Sequence, residues 1–121
     1  MRWRFCGCRP ERPFMGGDLL IPAILAILSK KPAHGYSLIE ELSGLGIEPS
    51  LFHHSSIYRA LRALEVEGLL ISDWDVGEGG PPKRVYRITE RGKAFLKRWA
   101  SSARENLKVI ERVIKLIEGG E

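Results

Sequence analysis

One stretch of the chain, residues 53–70 (HHSSIYRALRALEVEGLL), concentrates side chains that donate hydrogen bonds or carry positive charge. These donors are Ser55, Ser56, Tyr58, Arg59 and Arg62. At the helical spacing of about 100° per residue, Arg59 and Arg62 lie roughly opposite an apolar stripe. The stripe consists of Ile57, Leu61 and Leu64. Because Glu65 and Glu67 come only in the last turns, the donors occupy the end where a helix macrodipole is positive, which suits a polyanion.

An alternative interpretation is a solvated surface helix whose arginines pair with glutamates one turn away. A second basic cluster bears on this choice: residues 83–98 hold seven lysines and arginines against the single Glu90. In that cluster Lys83 ends the glycine- and proline-rich segment GEGGPPK and Arg84 directly follows it. Basic side chains beside such a segment are suited to holding phosphates. The sequence therefore favours a nucleic acid as the polyanion.

Net charge alone is a weak guide to function here. The total is +4, but four arginines and one glutamate give residues 1–14 a net charge of +3, which leaves +1 for the remainder. The chain has 121 residues and is 44% hydrophobic, which predicts one folded domain with an added arm or tail. The composition excludes a disordered chain.

The elements that position these residues follow from periodicity and from turn residues. We expect a first helix from near Asp18 to Leu28, and a second built on Leu38, Ile39, Leu42 and Leu45 that stops at Gly44 and Gly46. The third helix is the donor-bearing stretch, with capping hydroxyls at Ser55 and Ser56 and a C-terminal Gly68. LLISDWDV and RVYRIT read as two strands of a hairpin around GEGGPPK.

From Thr89 onward the residues are almost all helix formers, up to Gly119 and Gly120. This predicts one long helix whose apolar positions step by three or four residues. The apolar seam consists of Leu96, Trp99, Ala103, Leu107, Ile110, Ile114 and Ile117. A small three-helix core is too short to cover it, so we expect another surface to do so.

Several other classes of protein are disfavoured. Cys6 and Cys8 are the only cysteines and cannot form a secreted disulfide scaffold. A metal or redox role for them would need partners such as His53 or His54, and the histidines, including His34, read more simply as helix-start residues. Residues 19–28 are apolar but too short to span a bilayer, which predicts a cytoplasmic protein. No arrangement of carboxylates, nucleophile and base, or phosphate-cradling glycine loop supports catalysis, and no cofactor is expected.

Three helices followed by a hairpin form a winged helix, a variant of the helix-turn-helix in which the third helix enters the major groove of DNA. We therefore predict a mainly α fold with a small β-hairpin, a winged helix-turn-helix plus a long C-terminal dimerisation helix. In residue terms the chain resembles the PadR family of transcriptional regulators. The resemblance covers roughly residues 19–99 and is carried by AILAIL, HGYSLIEEL, SSIYRALRALEVEGLL and GGPPKRVYRITERGKAFL, in that order. Where the family usually has Ile-Tyr-Pro, this chain has Ile57, Tyr58 and Arg59.

The resemblance implies a homodimer that is clasped by the long helix, binds double-stranded DNA at an inverted repeat and usually represses a promoter. It also implies that some members release DNA on binding a small aromatic effector. The corresponding divisions are a basic arm at 1–17, a DNA-binding domain at 18–89 and a dimerisation helix at 90–121. We expect Ser55, Ser56, Tyr58, Arg59, Arg62, Lys83 and Arg84 to contact DNA.

Three questions stay open on the residues themselves. Trp99 lies on the apolar seam, where it could stack on an aromatic effector or simply pack in the dimer interface. The competing functions are a winged helix that binds protein, which the near-neutral folded region permits, and a metal- or redox-responsive regulator that uses Cys6 and Cys8. Tyr58 could donate its hydroxyl to a phosphate or pack into the core.

Overall fold

Four helices and a small antiparallel sheet make up the computed structural model, which describes residues 19–47, 54–77 and 79–119. For residues 54 and 55 only the backbone is described. The helices are α1 (Leu20–Lys30), α2 (Gly35–Gly44), α3 (His54–Val66) and α4 (Glu90–Gly119). The strands are β1 (Ala33–His34), β2 (Leu70–Asp75) and β3 (Lys83–Ile88). This confirms the predicted winged helix followed by one long helix.

The hydrophobic core lies between α1, α2, α3 and the start of α4. The apolar stripe predicted for α3 is fully buried, with no exposed surface at Ile57, Leu61 or Leu64. Helical periodicity thus identified the buried face of α3 correctly. The long helix joins this core through Phe95, which is among the largest fully buried side chains.

The prediction that Leu45 belongs to the apolar face of the second helix is wrong, since its side chain is 60% exposed instead of packed in the core. The cause is the way in which α2 ends. Gly46 has a positive φ of 94°, and the N–H of Ile47 donates to the carbonyl of Leu42 at 3.1 Å. This geometry reverses the chain just after Leu45, so that Ile47 packs against the core in its place.

The end of α3 follows the same rule. Gly68 has a φ of 85°, and the N–H of Leu69 donates to the carbonyl of Leu64 at 3.0 Å. The predicted glycine cap is therefore confirmed. The predicted start differs: because α3 begins at His54, Ser55 and Ser56 lie inside its first turn and are not the N-cap. Asp18, the expected cap of α1, lies outside the described residues.

Thr89 caps α4 as predicted and also joins this helix to the end of α3. Its Oγ1 accepts a hydrogen bond from the N–H of Gly92 at 3.1 Å and donates one to the carbonyl of Gly68 at 2.8 Å. Its own N–H donates to the carbonyl of Leu69 at 3.1 Å. A single residue thus connects the C-terminal end of α3 to the first turn of α4.

The sheet contains a third strand that the sequence did not reveal. Its order is β1-β3-β2, and β1 pairs through Ala33 with Tyr86 and through His34 with Val85. A strand of two residues is too short to display alternation. Its pairing places the start of α2 beside the predicted hairpin of β2 and β3, which forms the wing.

The apolar seam of α4 is covered only in part. Ala103 is buried, and Leu96 and Trp99 are partly buried against the core. Farther along, Leu107 is 47% exposed and Ile117 is 73% exposed. The structure therefore confirms that the seam extends beyond the core of its own chain. None of the helices in the described part of the chain combines the length and apolarity needed to cross a membrane.

Candidate nucleic-acid interface

An open cavity of about 620 Å³ lies between the start of α2, the exposed face of α3 and the wing. We call it the basic groove. It is lined by His34, Gly35, Tyr36, Ser37, Tyr58, Arg62, Lys83, Arg84 and Tyr86. Four of the predicted site residues therefore meet at one surface, although they belong to two elements that are distant in the sequence.

The side of the groove formed by α3 carries Tyr58 and Arg62, one turn apart. The ring of Tyr58 packs against Gly35 of α2 and is 38% exposed. One part of Tyr58 therefore packs between the helices and another part reaches the groove, while contact of its hydroxyl with a phosphate stays a prediction. Arg59 is exposed on the same helix but does not line the groove.

The arginines of α3 are not engaged by the glutamates that follow them. Within the described part of the chain, neither Arg59 nor Arg62 forms an ion pair. Glu65 pairs instead with Arg84 of the wing, at 3.8 Å. The alternative of a helix stabilised by its own ion pairs is therefore not observed in the described part of α3, and both arginines are exposed to solvent.

The start of α2 is a part of the site that sequence analysis missed. His34, Tyr36 and Ser37 line the groove, and the first turn of α2 carries no acidic residue and no side-chain cap. Unpaired N–H groups at such a turn favour anions. The signal was present as HGYS, a glycine and two hydroxyl-bearing residues at a helix start, but its proximity to α3 depends on the packing of Tyr58 on Gly35.

The wing contributes Lys83 and Arg84 at the first two positions of β3. Arg84 is held by neighbours: its Nη1 donates to Ser72 Oγ at 3.2 Å, and its guanidinium carbon lies 4.7 Å from the centre of the Trp74 ring. The wing is also joined to the start of α2, since His34 Nε2 lies 3.4 Å from Asp75 Oδ2.

Tyr86 forms part of the groove lining and is itself largely buried. Burial raises the pKa of the Tyr86 hydroxyl above its ordinary value of 10.0, and the nearby positive charge of Arg84 opposes that rise. The hydroxyl therefore stays protonated at neutral pH. It is a neutral donor beside the cations Arg62, Lys83 and Arg84 of the groove.

The other basic residues of the predicted cluster at 83–98 face elsewhere. Arg87 Nε lies 3.6 Å from Asp73 Oδ2, and Lys93 Nζ lies 3.2 Å from Glu90 Oε2. The cluster is therefore divided, and only its first two members reach the groove. At the start of α3, Ser56 is half-buried. For Ser55 the structure describes the backbone but not the side chain.

The remaining predicted sites stay predictions. Trp99 packs against the core of its own chain, and a role in effector binding stays a prediction. Cys6, Cys8 and His53 lie outside the described residues. In the ranges that the structure describes, no group of three or more potential metal ligands comes together.

Comparison with known proteins gives a consistent result. The family model described as "Transcriptional regulator PadR-like family" matches residues 24–98. Transcriptional regulator Rv3488 of Mycobacterium tuberculosis is 33% identical over 98 residues, which are 81% of each chain. A solved structure of TM0937, described as a potential transcriptional factor, has a TM-score of 0.74 and 38% identity, and covers 88% of this chain and 96% of that chain.

The structure of Bacillus subtilis PadR in complex with operator DNA is also similar, with a TM-score of 0.59 and 29% identity. It covers 68% of this chain and 47% of that chain. These relatives are described as transcription regulators and not as enzymes. The matched segment contains most of α1, all of α2 and α3, the wing and the start of α4. The chain therefore belongs to the PadR-like family of transcriptional regulators.

Proposed function

We propose that this protein is a cytoplasmic homodimer that binds an inverted-repeat operator in double-stranded DNA and represses transcription. The observation that carries the proposal is the basic groove, which brings Arg62 of α3 and Lys83 of the wing to one surface. The solved complex of Bacillus subtilis PadR with operator DNA supports it, because a relative of the same fold binds DNA.

In this proposal α3 enters the major groove with its N-terminal end first. Arg59 and Arg62 read base edges, since a guanidinium group can bond two acceptors of guanine at once. Ser55, Ser56 and Tyr58 contact the backbone or bases at the entry point. The wing lies against the flanking backbone, where cations such as Lys83 position a protein without reading sequence.

The dimer forms through the uncovered part of the apolar seam. Exposed residues such as Leu107, Ile114 and Ile117 follow one face of α4, and a second copy of the same helix is the matching surface. Residues 90–121 then act as the dimerisation helix and residues 18–89 as the DNA-binding domain. Half-sites about 10 base pairs apart, centre to centre, suit such a pair.

A small aromatic effector is a further part of the proposal. It would bind beside Trp99, where α4 leaves the core and the partner subunit begins to cover it. An effector bound there changes DNA affinity only if it prefers one arrangement of the two subunits. Titration of aromatic acids against the DNA complex tests this, and loss of the response in Trp99→Phe without loss of DNA binding supports it.

The main experiment measures binding to the DNA upstream of the protein's own gene across a salt series. The native chain is compared with Arg59→Ala/Arg62→Ala and with a control of equal charge change, Arg87→Ala/Lys93→Ala, whose residues are paired with acids outside the groove. We expect steep salt dependence for the native chain and loss of sequence preference only in the α3 variant.

Weak binding of all three chains to any DNA would contradict the proposal. That result would favour the second candidate, a winged helix that binds another protein, for which the observation is the small net charge of +1 outside residues 1–14. Equal loss of preference in both variants would show that total charge, and not α3, governs binding.

A further inference from the structure

Arg84 lies at the centre of a contact network that joins α3 to the wing. Ser72 Oγ donates to Glu65 Oε2 at 2.7 Å and accepts from Arg84 Nη1 at 3.2 Å. The same Nη1 lies 3.8 Å from Glu65 Oε1. On its other side the Arg84 guanidinium stacks on the ring of Trp74, its direct cross-strand neighbour. Three partners on two other elements thus hold this side chain.

The network lies where the wing leaves the core. Closer to the core, Leu70 and Tyr86 are buried and fix the base of the hairpin. Toward the tip, Trp74 is 61% exposed and its partner Arg84 is also exposed. Core packing therefore holds the base of the hairpin but does not extend to the outer wing. The contacts of Arg84 and Ser72 with Glu65 are the link between the outer wing and α3 on this face.

The same contacts make the Arg84 guanidinium group less available to bind a phosphate. Glu65 lies beside it and would repel an approaching phosphate, while Ser72 and Trp74 restrict its guanidinium group. Lys83 precedes it, lines the same groove and forms no ion pair with another described residue. Two adjacent basic residues of the wing are thus in different electrostatic situations.

We infer that Arg84 is a positioning residue, which with Ser72 and Glu65 sets the wing against α3, and that Lys83 supplies the direct phosphate contact of the wing. This inference rests on the proposed DNA binding. It also gives a reason for a carboxylate late in α3: Glu65 is kept away from DNA and holds the wing. The positive charge of Arg84 interacts with Glu65 within the protein and not with DNA.

The test compares Glu65→Ala with the control Glu67→Ala, which removes the same charge two residues farther along. If electrostatics alone mattered, both variants would bind DNA more tightly because both are more positive. Positioning predicts the opposite for Glu65→Ala, a loss of operator affinity of about threefold to tenfold with unchanged binding to unrelated DNA. A thermal unfolding curve close to that of the native chain shows that the loss is not one of folding.

Two further variants separate the roles of the adjacent basic residues. Arg84→Lys keeps the charge but loses the fork and the stacking geometry, so it should reproduce the loss in Glu65→Ala with an unchanged salt slope. Lys83→Gln should lower the salt slope by about one unit and leave sequence preference intact. The variant that combines Glu65→Ala with Arg84→Lys should bind no more weakly than the worse single variant, because both remove one contact.

Amide hydrogen exchange of residues 72–76 and 83–86 in the free protein gives a readout that needs no DNA. Faster exchange in Glu65→Ala and Arg84→Lys, but not in Glu67→Ala, supports the positioning role of Arg84 even if the native chain fails to bind DNA and the proposed function is wrong. Unchanged exchange, together with tighter operator binding by Glu65→Ala, overturns it. An affinity of Arg84→Lys equal to that of the native chain, with one unit of slope lost in Arg84→Gln, also overturns it and makes Arg84 a phosphate ligand.

Discussion

The ring of Tyr58 lies directly over Gly35, so closely that a methyl group built on Gly35 would overlap it. This contact joins the start of α2 to the donor-bearing face of α3. Both residues line the basic groove, and the groove depends on their separation. The glycine of the HGYS segment is thus required by a side chain on another helix and not by its own backbone angle.

Gly35→Ala should therefore displace Tyr58. We expect a loss of about 1–3 kcal/mol in the free energy of unfolding, the usual cost of overpacking, together with weaker DNA binding. Urea denaturation measures the first and operator titration the second. The double variant Gly35→Ala/Tyr58→Ala relieves the overlap and should be less destabilised than the sum of the single variants. Additive effects would mean that the two residues do not interact in solution.

Gly92 in the first turn of α4 is as closely packed as Gly35. A Cβ atom there would lie 2.5 Å from the carbonyl oxygen of Leu69 and 2.6 Å from Ile88 Cγ1. The carbonyl belongs to the backbone and cannot easily move aside. Gly92→Ala should therefore lower the free energy of unfolding by about 1–3 kcal/mol, as measured by urea denaturation. The control is Gly44→Ala, where nothing lies within 4 Å and the effect should be neutral or slightly stabilising. Equal stability of the two variants would contradict the close approach of α4 to β3.

Ionisation of Tyr86 should reduce stability in alkaline solution. Burial raises its pKa in the folded state above 10.0, so the unfolded chain loses this proton first. The stabilising contribution of the neutral hydroxyl is complete below pH 10 and is lost as the pH rises through the folded pKa. In Tyr86→Phe the unfolding free energy should fall less steeply above pH 10 than in the native chain. Tyr36→Phe, at a site that is 64% exposed, is the control and should retain the native slope.

The exposed end of the apolar seam should determine the oligomeric state. Ile114→Asp/Ile117→Asp places charges on residues that are 44% and 73% exposed in a single chain. We expect a folded monomer by sedimentation and loss of cooperative binding to the two half-sites. Arg112→Ala/Lys115→Ala changes the charge by the same amount off the seam and should stay dimeric. A dimer in both cases would place the interface elsewhere.

The sequence was sufficient to predict the helices and the wing, because these depend on local periodicity and on turn residues. The stripe of Ile57, Leu61 and Leu64 and the cap at Gly68 were recognised in this way. It did not predict contacts between distant segments. The role of HGYS in the groove depends on Tyr58, which follows more than 20 residues later. Likewise β1 has no local pattern and exists only through its pairing with β3.

The charged residues show the same limit. Lys83 and Arg84 are adjacent and look equivalent in the sequence, and only the fold places Glu65 beside one of them. Conversely, Arg87 and Lys93 belong to the same basic cluster but face acids outside the groove. Composition counts charges, whereas the three-dimensional partners determine which of those charges are free to meet a ligand.

The hydrogen bonds of Thr89 have a mechanical consequence. Through Gly68 and Gly92 they join the end of α3 to the start of α4, so a change in the direction of α4 is transmitted to α3. A helix of 30 residues is about 45 Å long, and a tilt of about 5° moves its far end by about 4 Å. In a dimer joined along α4, small changes in the crossing angle of the two long helices would therefore alter the spacing of the two α3 helices. The long helix would then act as a lever arm whose N-terminal end is hydrogen-bonded to the end of α3, the helix proposed to contact DNA.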